Sequence, residues 1–137
     1  MSRQLSVLVL FFTFFTVAAC QNNKEQKDSV ENLVLKPAQF ETKIAETQNA
    51  TVLDVCTPNE FSQQHLRNAV NINYHSDNFK TAISQLDKQK PYFVYCWAGS
   101  RSAKAAELMR GLGFVKVYEL DGGIANWMKN NKPVEKQ

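Results

Sequence analysis

Apolar and polar positions divide the chain into three regimes. From Leu5 to Val17 the residues are apolar apart from Ser6, Thr13 and Thr16, and from Gln21 to Glu31 they are almost wholly polar. From Leu33 onward, short apolar runs of strand length alternate with stretches whose apolar residues recur every three or four positions. The runs predict strands at Leu33–Leu35, Thr51–Cys56, Ala69–Ile72, Tyr92–Tyr95 and Val115–Tyr118. Between them fall helical patterns. Pro37 suits a first helical position, with Phe40 and Ile44 turned inward on a helix running to about Glu46. Thr57-Pro58-Asn59-Glu60 combines a Thr-x-x-Glu capping box with proline at the first position, so a short helix is expected to about Gln64. Phe79, Ala82, Ile83 and Leu86 stripe a helix over residues 77–88. Ala105, Leu108, Met109 and Leu112 stripe another that stops at Gly111-Leu112-Gly113, and Ile124 to Asn130 forms the last. Strand and helix in alternation imply an α/β fold, a mostly parallel five-stranded sheet with helices on both faces.

The first regime changes the picture of where the chain resides. Arg3 followed by the apolar run reads as a secretory signal over residues 1–19, too short to favour a spanning helix. Val17-Ala18-Ala19-Cys20 resembles the bacterial lipobox. That resemblance implies cleavage before Cys20 and acylation of its thiol and new amino group. Two or more acyl chains anchor stably, at about 0.8 kcal/mol per buried methylene. Residues 20–32 then form a flexible tether, about a dozen residues spanning roughly 20 Å. The expected location is the cell envelope: the periplasmic side of the inner or outer membrane, or the cell surface. The competing outcome is ordinary cleavage and a soluble secreted protein. Residues 131–137 read as a polar tail, with Lys132 and Lys136 as solvated ends.

Composition mainly excludes. With 137 residues there is room for one domain. The net charge of +3 includes Arg3, and no basic cluster interleaves with aromatics, so nucleic acid is not an expected partner. Cys20, Cys56 and Cys96 lie far apart with no C-x-x-C spacing and no histidine pair beside them, which disfavours zinc. No glycine-rich phosphate loop is present.

The candidate chemistry lies in Tyr92-Phe93-Val94-Tyr95-Cys96-Trp97-Ala98-Gly99-Ser100-Arg101-Ser102. A strand runs into Cys96, a tight polar turn follows, and a helix begins. This places the thiol at the carboxyl edge of the sheet, facing a helix N-terminus, where ligands collect in open α/β folds. Unpaired N–H groups of the turn and helix start form an anion-binding nest. A thiolate held there has a pKa below the free value of about 8.5 and is the reactive form. Arg101 is a cation at the lip of the loop, with a fork suited to an oxyanion. The bland alternative is an inert buried cysteine closing a strand.

Cys96-Trp97-Ala98-Gly99-Ser100-Arg101-Ser102 resembles the C-x-x-G-x-R-S loop of the single-domain rhodaneses, the sulfurtransferases. Leu53-Asp54-Val55 with Glu60-Phe61, His65-Leu66 with Ala69–Ile72, and Leu120-Asp121-Gly122-Gly123 with Trp127 agree in family order, over about residues 33–130. The resemblance implies the rhodanese three-layer fold and a Cys96 persulfide. Sulfur would pass from thiosulfate or an organic persulfide to a thiol or cyanide, with no metal or cofactor. Trp97, Ala98, Gly99, Ser100, Arg101 and Ser102 would hold the anionic sulfur. Asp54, His65, Gly122 and Gly123 would support the site structurally, and Trp127 would pack in the core. The family continues Asp-Val-Arg where this chain has Asp54-Val55-Cys56, placing a second thiol in the domain, without a permanent disulfide. Asn68 replaces a family glycine, a substitution that tolerates left-handed backbone. Two other readings compete. Cysteine phosphatases and arsenate reductases share the nest but use a Cys-x5-Arg loop, one residue longer than Cys96 to Arg101. A membrane-tethered persulfide carrier that hands sulfur to a protein acceptor would show the same loop.

Overall fold

The computed structural model describes residues 33–137. The signal segment, Cys20 and the tether lie outside the described residues. Five strands, β1 (Val34–Leu35), β2 (Thr51–Asp54), β3 (Val70–Asn71), β4 (Pro91–Tyr95) and β5 (Lys116–Leu120), form one sheet in the order β1-β5-β4-β2-β3. Every pairing is parallel. Helices α1 (Pro37–Glu46), α2 (Pro58–Gln63), α3 (Phe79–Ser84), α4 (Ser100–Gly111) and α5 (Gly123–Lys129) connect or follow the strands.

Two cores form because β4 is apolar at consecutive positions and alternate side chains leave opposite faces of the sheet. Tyr92 and Val94, with Leu53 and Val117, pack against Phe79 and Ile83 of α3 and Ala105, Ala106 and Met109 of α4. Phe93 and Tyr95, with Val52 and Leu120, pack against Phe40 of α1 and Ile124 and Trp127 of α5. Phe40 meets Phe93 edge to face at 5.3 Å between ring centroids, and meets Trp127 edge to face at 6.4 Å. Truncating a buried aromatic such as Trp127 to alanine is expected to cost about 3–5 kcal/mol.

The expected α/β layers are present, with local differences that have physical causes. Helix α3 covers Phe79–Ser84, not 77–88, because the apolar stripe reports packing and not unbroken helical bonding. Leu86 still packs on the core, but its N–H already donates to Ile83 O in a turn at 3.1 Å. Strand β2 ends at Asp54 because its own Oδ1 accepts the N–H of Cys56 at 2.7 Å and turns the chain. Asn68 adopts φ 58°, as expected of its left-handed position.

The polar C-terminal segment, residues 131–137, is bonded to the domain, which corrects the reading of Lys132 as a solvated end. His65 and Glu135 exchange backbone hydrogen bonds at 2.9 and 2.8 Å, and Gln137 N–H donates to Ser62 O at 3.0 Å. Trp127 Nε1–H donates to Pro133 O at 2.9 Å, and Val134 packs on the second core. Lys132 pairs with Glu41 of α1 and is not a solvated end, whereas Lys136 is exposed. The apolar content of this segment, one valine and one proline, was too small to show in a hydrophobic pattern.

Candidate active site

Strand β4 delivers Cys96 to the carboxyl edge of the sheet, where residues 97–99 turn and α4 begins at Ser100. The turn needs φ 103° at Gly99, a backbone region that favours glycine. It directs Gly99 N–H onto Cys96 Sγ at 3.1 Å. The hydroxyl of Ser102 lies 3.5 Å from the same sulfur and 3.0 Å from Gly99 O. One hydroxyl proton thus serves two acceptors, and a charged sulfur draws it away from the carbonyl. Burial pushes the Cys96 thiol pKa up. The Ser102 hydroxyl and the amides of Ser102, Gly99 and Ala98 outweigh burial and bring it below the ordinary thiol value.

Helix α5 keeps the loop open toward the thiol by holding its carbonyls outward. Ile124 N–H donates to Cys96 O at 2.9 Å and Ala125 N–H to Trp97 O at 3.0 Å. Such close approach requires Gly123: a Cβ there would lie 2.4 Å from Cys96 O and 2.5 Å from Trp97 O, and its φ is 62°. With its carbonyls so occupied, the loop has N–H groups left for the sulfur. Cys96 is 1% exposed and forms the floor of the loop, while Trp97, Ala98 and Ser100 at the rim are exposed. A reacting sulfur therefore has to enter the loop.

The fork of Arg101 is already filled. Its Nη1 and Nη2 each donate to a carboxylate oxygen of Glu60 at 2.7 Å. Glu60 is itself fixed, since its Oε2 accepts Thr57 N–H at 2.8 Å and the Thr57 hydroxyl at 2.7 Å. Arg101 first, helped by Thr57, holds the Glu60 carboxyl down at about 2 despite partial burial. The expectation that Arg101 forks onto an incoming oxyanion thus meets a guanidinium paired within the protein. Glu60 escaped the sequence reading in this role, although the capping box that positions it was visible.

The supporting residues separate. Asp54 Oδ1 accepts Cys56 N–H and Asn71 Nδ2–H (3.3 Å), while its Oδ2 is buried with no partner. Burial raises its pKa, against the lowering effect of Tyr95, Cys56 and Asn71. Asp54 thus shapes the turn that presents α2 and Glu60, one step from the Cys96 loop. His65 has no bond to the loop in this arrangement. Its Nδ1–H donates to Phe61 O at 2.8 Å, its ring stacks on Phe61 at 4.1 Å, and its backbone holds the C-terminal segment. Gly122 and Gly123 sit directly against the loop. Cys56 and Cys96 are both buried and free, and burial with Asp54 and Glu60 pushes the Cys56 thiol far up. Among the described residues no three His, Cys, Asp or Glu side chains gather closely enough to hold a metal ion.

An open parallel sheet with a cysteine sulfur held in a main-chain amide nest defines a class of anion- and sulfur-handling sites. The rhodanese-like domain family matches residues 36–130, and the chain belongs to that family. The thiosulfate sulfurtransferase GlpE of Shewanella oneidensis is 33% identical over 89 residues, covering 65% of this chain and 86% of that protein. The protein of the same name from Vibrio cholerae is 33% identical over 92 residues, covering 66% and 83%. A rhodanese-related protein of Thermoplasma volcanium has a similar solved structure: TM-score 0.67, 30% identity, 76% of this chain and 98% of that one.

Proposed function

We infer that the protein is a sulfurtransferase that carries a sulfane sulfur on Cys96, taken from thiosulfate or an organic persulfide and given to a thiol or cyanide. The observation that carries this reading is Gly99 N–H and the Ser102 hydroxyl converging on Cys96 Sγ. A thiolate so held attacks the outer sulfur of the donor, and the donor's remaining sulfur leaves with the bonding pair. The terminal sulfur of the resulting persulfide occupies the nest, and an acceptor nucleophile removes it in a second step, so the kinetics are ping-pong. The names of the curated relatives agree with this chemistry. A phosphatase needs its arginine fork free for phosphate, and here Glu60 occupies it.

Intact mass spectrometry tests the reaction. Incubation with donor adds one sulfur, about 32 Da, which cyanide removes and which Cys96→Ser does not acquire. Absence of the adduct at every donor concentration would rule the reading out. The same reading places the domain on the membrane through acylated Cys20, supported by Val17-Ala18-Ala19-Cys20. Membrane fractionation of the full chain and its Cys20→Ser variant tests that placement: the native chain pellets with membranes and the variant does not.

A further inference from the structure

Residues 96–102 contain a single cation, Arg101, and both terminal nitrogens of its guanidinium are bound to Glu60 at 2.7 Å. The pair is neutral as a unit, and Thr57 holds the carboxylate from behind, so the fork is not free to swing onto a substrate. The residue after the nucleophile is instead Trp97, which is 39% exposed at the rim although its backbone carbonyl accepts Ala125 N–H. Ala98 beside it is exposed and contributes no charge or hydrogen-bonding side chain. A donor's transferable sulfur must enter the nest, which leaves the rest of the donor at this rim. For thiosulfate that remainder is an anionic sulfonate, and the loop offers it no unpaired cation. An apolar group finds an exposed aromatic surface there.

We propose that the preferred donor is a hydropersulfide whose organic group is apolar and uncharged, seated against Trp97. The inference rests on the sulfurtransferase reading and specifies its substrate. In the loading step, the Cys96 thiolate attacks the outer sulfur of R–S–SH. A new S–S bond forms, the donor's S–S bond breaks, and its electron pair goes to R–S. The proton of the outer sulfur passes to R–S, so the products are a Cys96 persulfide anion and the thiol R–SH. Charge is conserved and no external oxidant is needed.

Loading of Cys96 is followed by intact mass with benzyl hydropersulfide, 4-carboxybenzyl hydropersulfide and thiosulfate. The expected order of kcat/KM is benzyl, then carboxybenzyl, then thiosulfate, with about tenfold or more between the first and last, as one aromatic contact and one unpaired charge allow. Trp97→Ala raises KM for the benzyl donor about tenfold while kcat changes less, and Trp97→Phe restores it. Trp97→Lys shifts the preference toward thiosulfate. Equal use of thiosulfate and the benzyl donor, or a preference unmoved by Trp97→Ala, would overturn the proposal while leaving sulfur transfer intact. Loading by none of the three would overturn both.

Discussion

Two strand-turn-helix units stand side by side at the same edge of the sheet, each carrying a cysteine, and they treat it in opposite ways. Cys96 follows β4 and precedes α4; Cys56 follows β2 and precedes α2. Both are buried, at 1% and 2% exposure, so burial alone does not separate them. The difference is what fills each helix N-terminus. Helix α2 begins with Pro58, which lacks an N–H, and Glu60 in its first turn already satisfies the cap. Helix α4 has no acidic residue in its first turn and no side-chain cap, so its amides remain open to an anion. Cys96 therefore faces N–H and O–H donors, whereas Cys56 faces the carboxylates of Asp54 and Glu60. The uncapped start of α4 thus lowers the Cys96 thiol pKa, whereas burial first, then Asp54 and Glu60, raises that of Cys56.

The largest effect should come from closing the nest from behind. Gly123→Ala puts a methyl group against Cys96 O and Trp97 O in a left-handed backbone position. The loop must shift, and the two carbonyls lose Ile124 and Ala125. Sulfur loading should fall about a hundredfold, as a misplacement near 1 Å does, and stability should fall by about 2–4 kcal/mol. Loading kinetics and thermal denaturation check the two parts, and unchanged loading would remove α5 from the account. Ser102→Ala comes next. It deletes the hydroxyl on Sγ, and the midpoint of the pH profile for iodoacetamide alkylation at Cys96 should move upward. Because the native thiol pKa is depressed, the loss of reactivity should be clearest near pH 7, at about tenfold, and vanish at high pH.

Much of this contrast was legible in the sequence, for identifiable reasons. Apolar runs and stripes marked the strands and the helices α1, α3 and α4, and the Cys96 loop announced itself as strand, glycine turn and helix. The start of α2 was legible too, since Thr57, Pro58 and Glu60 form a local signal. What Glu60 does beyond the cap was not, because its partner Arg101 is 41 residues away. Nor did local sequence reveal the approach of Gly123 to Cys96 O, which depends on how β4 and β5 lie together. Long-range pairing of polar groups leaves no period to read.

Glu60→Gln sharpens the comparison at the point where the two units touch. It removes the charge that neutralises Arg101 while keeping an acceptor at the cap. Alkylation of Cys96 should change only a few-fold, within the range for a partly exposed ion pair. The thiosulfate KM should fall, since the guanidinium is no longer neutralised. In the native protein the Glu60 pKa is lowered to about 2 from its usual 4.5. Its contribution to stability is complete above the unfolded value and is lost as pH falls from about 4.5 toward 2. Acid unfolding of Glu60→Gln should be less steep across that window, and identical curves would show the pair to be idle.

The smallest effect is expected at Cys56, and it tests the inert half of the comparison. Cys56→Ala should leave Cys96 loading within about twofold and cost about 1 kcal/mol through a small loss of packing. In the native protein, peptide mapping after brief iodoacetamide treatment at pH 8 should find Cys96 modified and Cys56 untouched. The linkage runs opposite to that of Glu60. A thiol pKa raised in the folded state means that the unfolded chain releases its proton first. Stability attributable to Cys56 is therefore complete below the ordinary thiol value and declines as pH rises above it. Cys56→Ala should remove that alkaline decline, and a native Cys56 that alkylates as fast as Cys96 would mean that burial beside Asp54 and Glu60 does not set the difference.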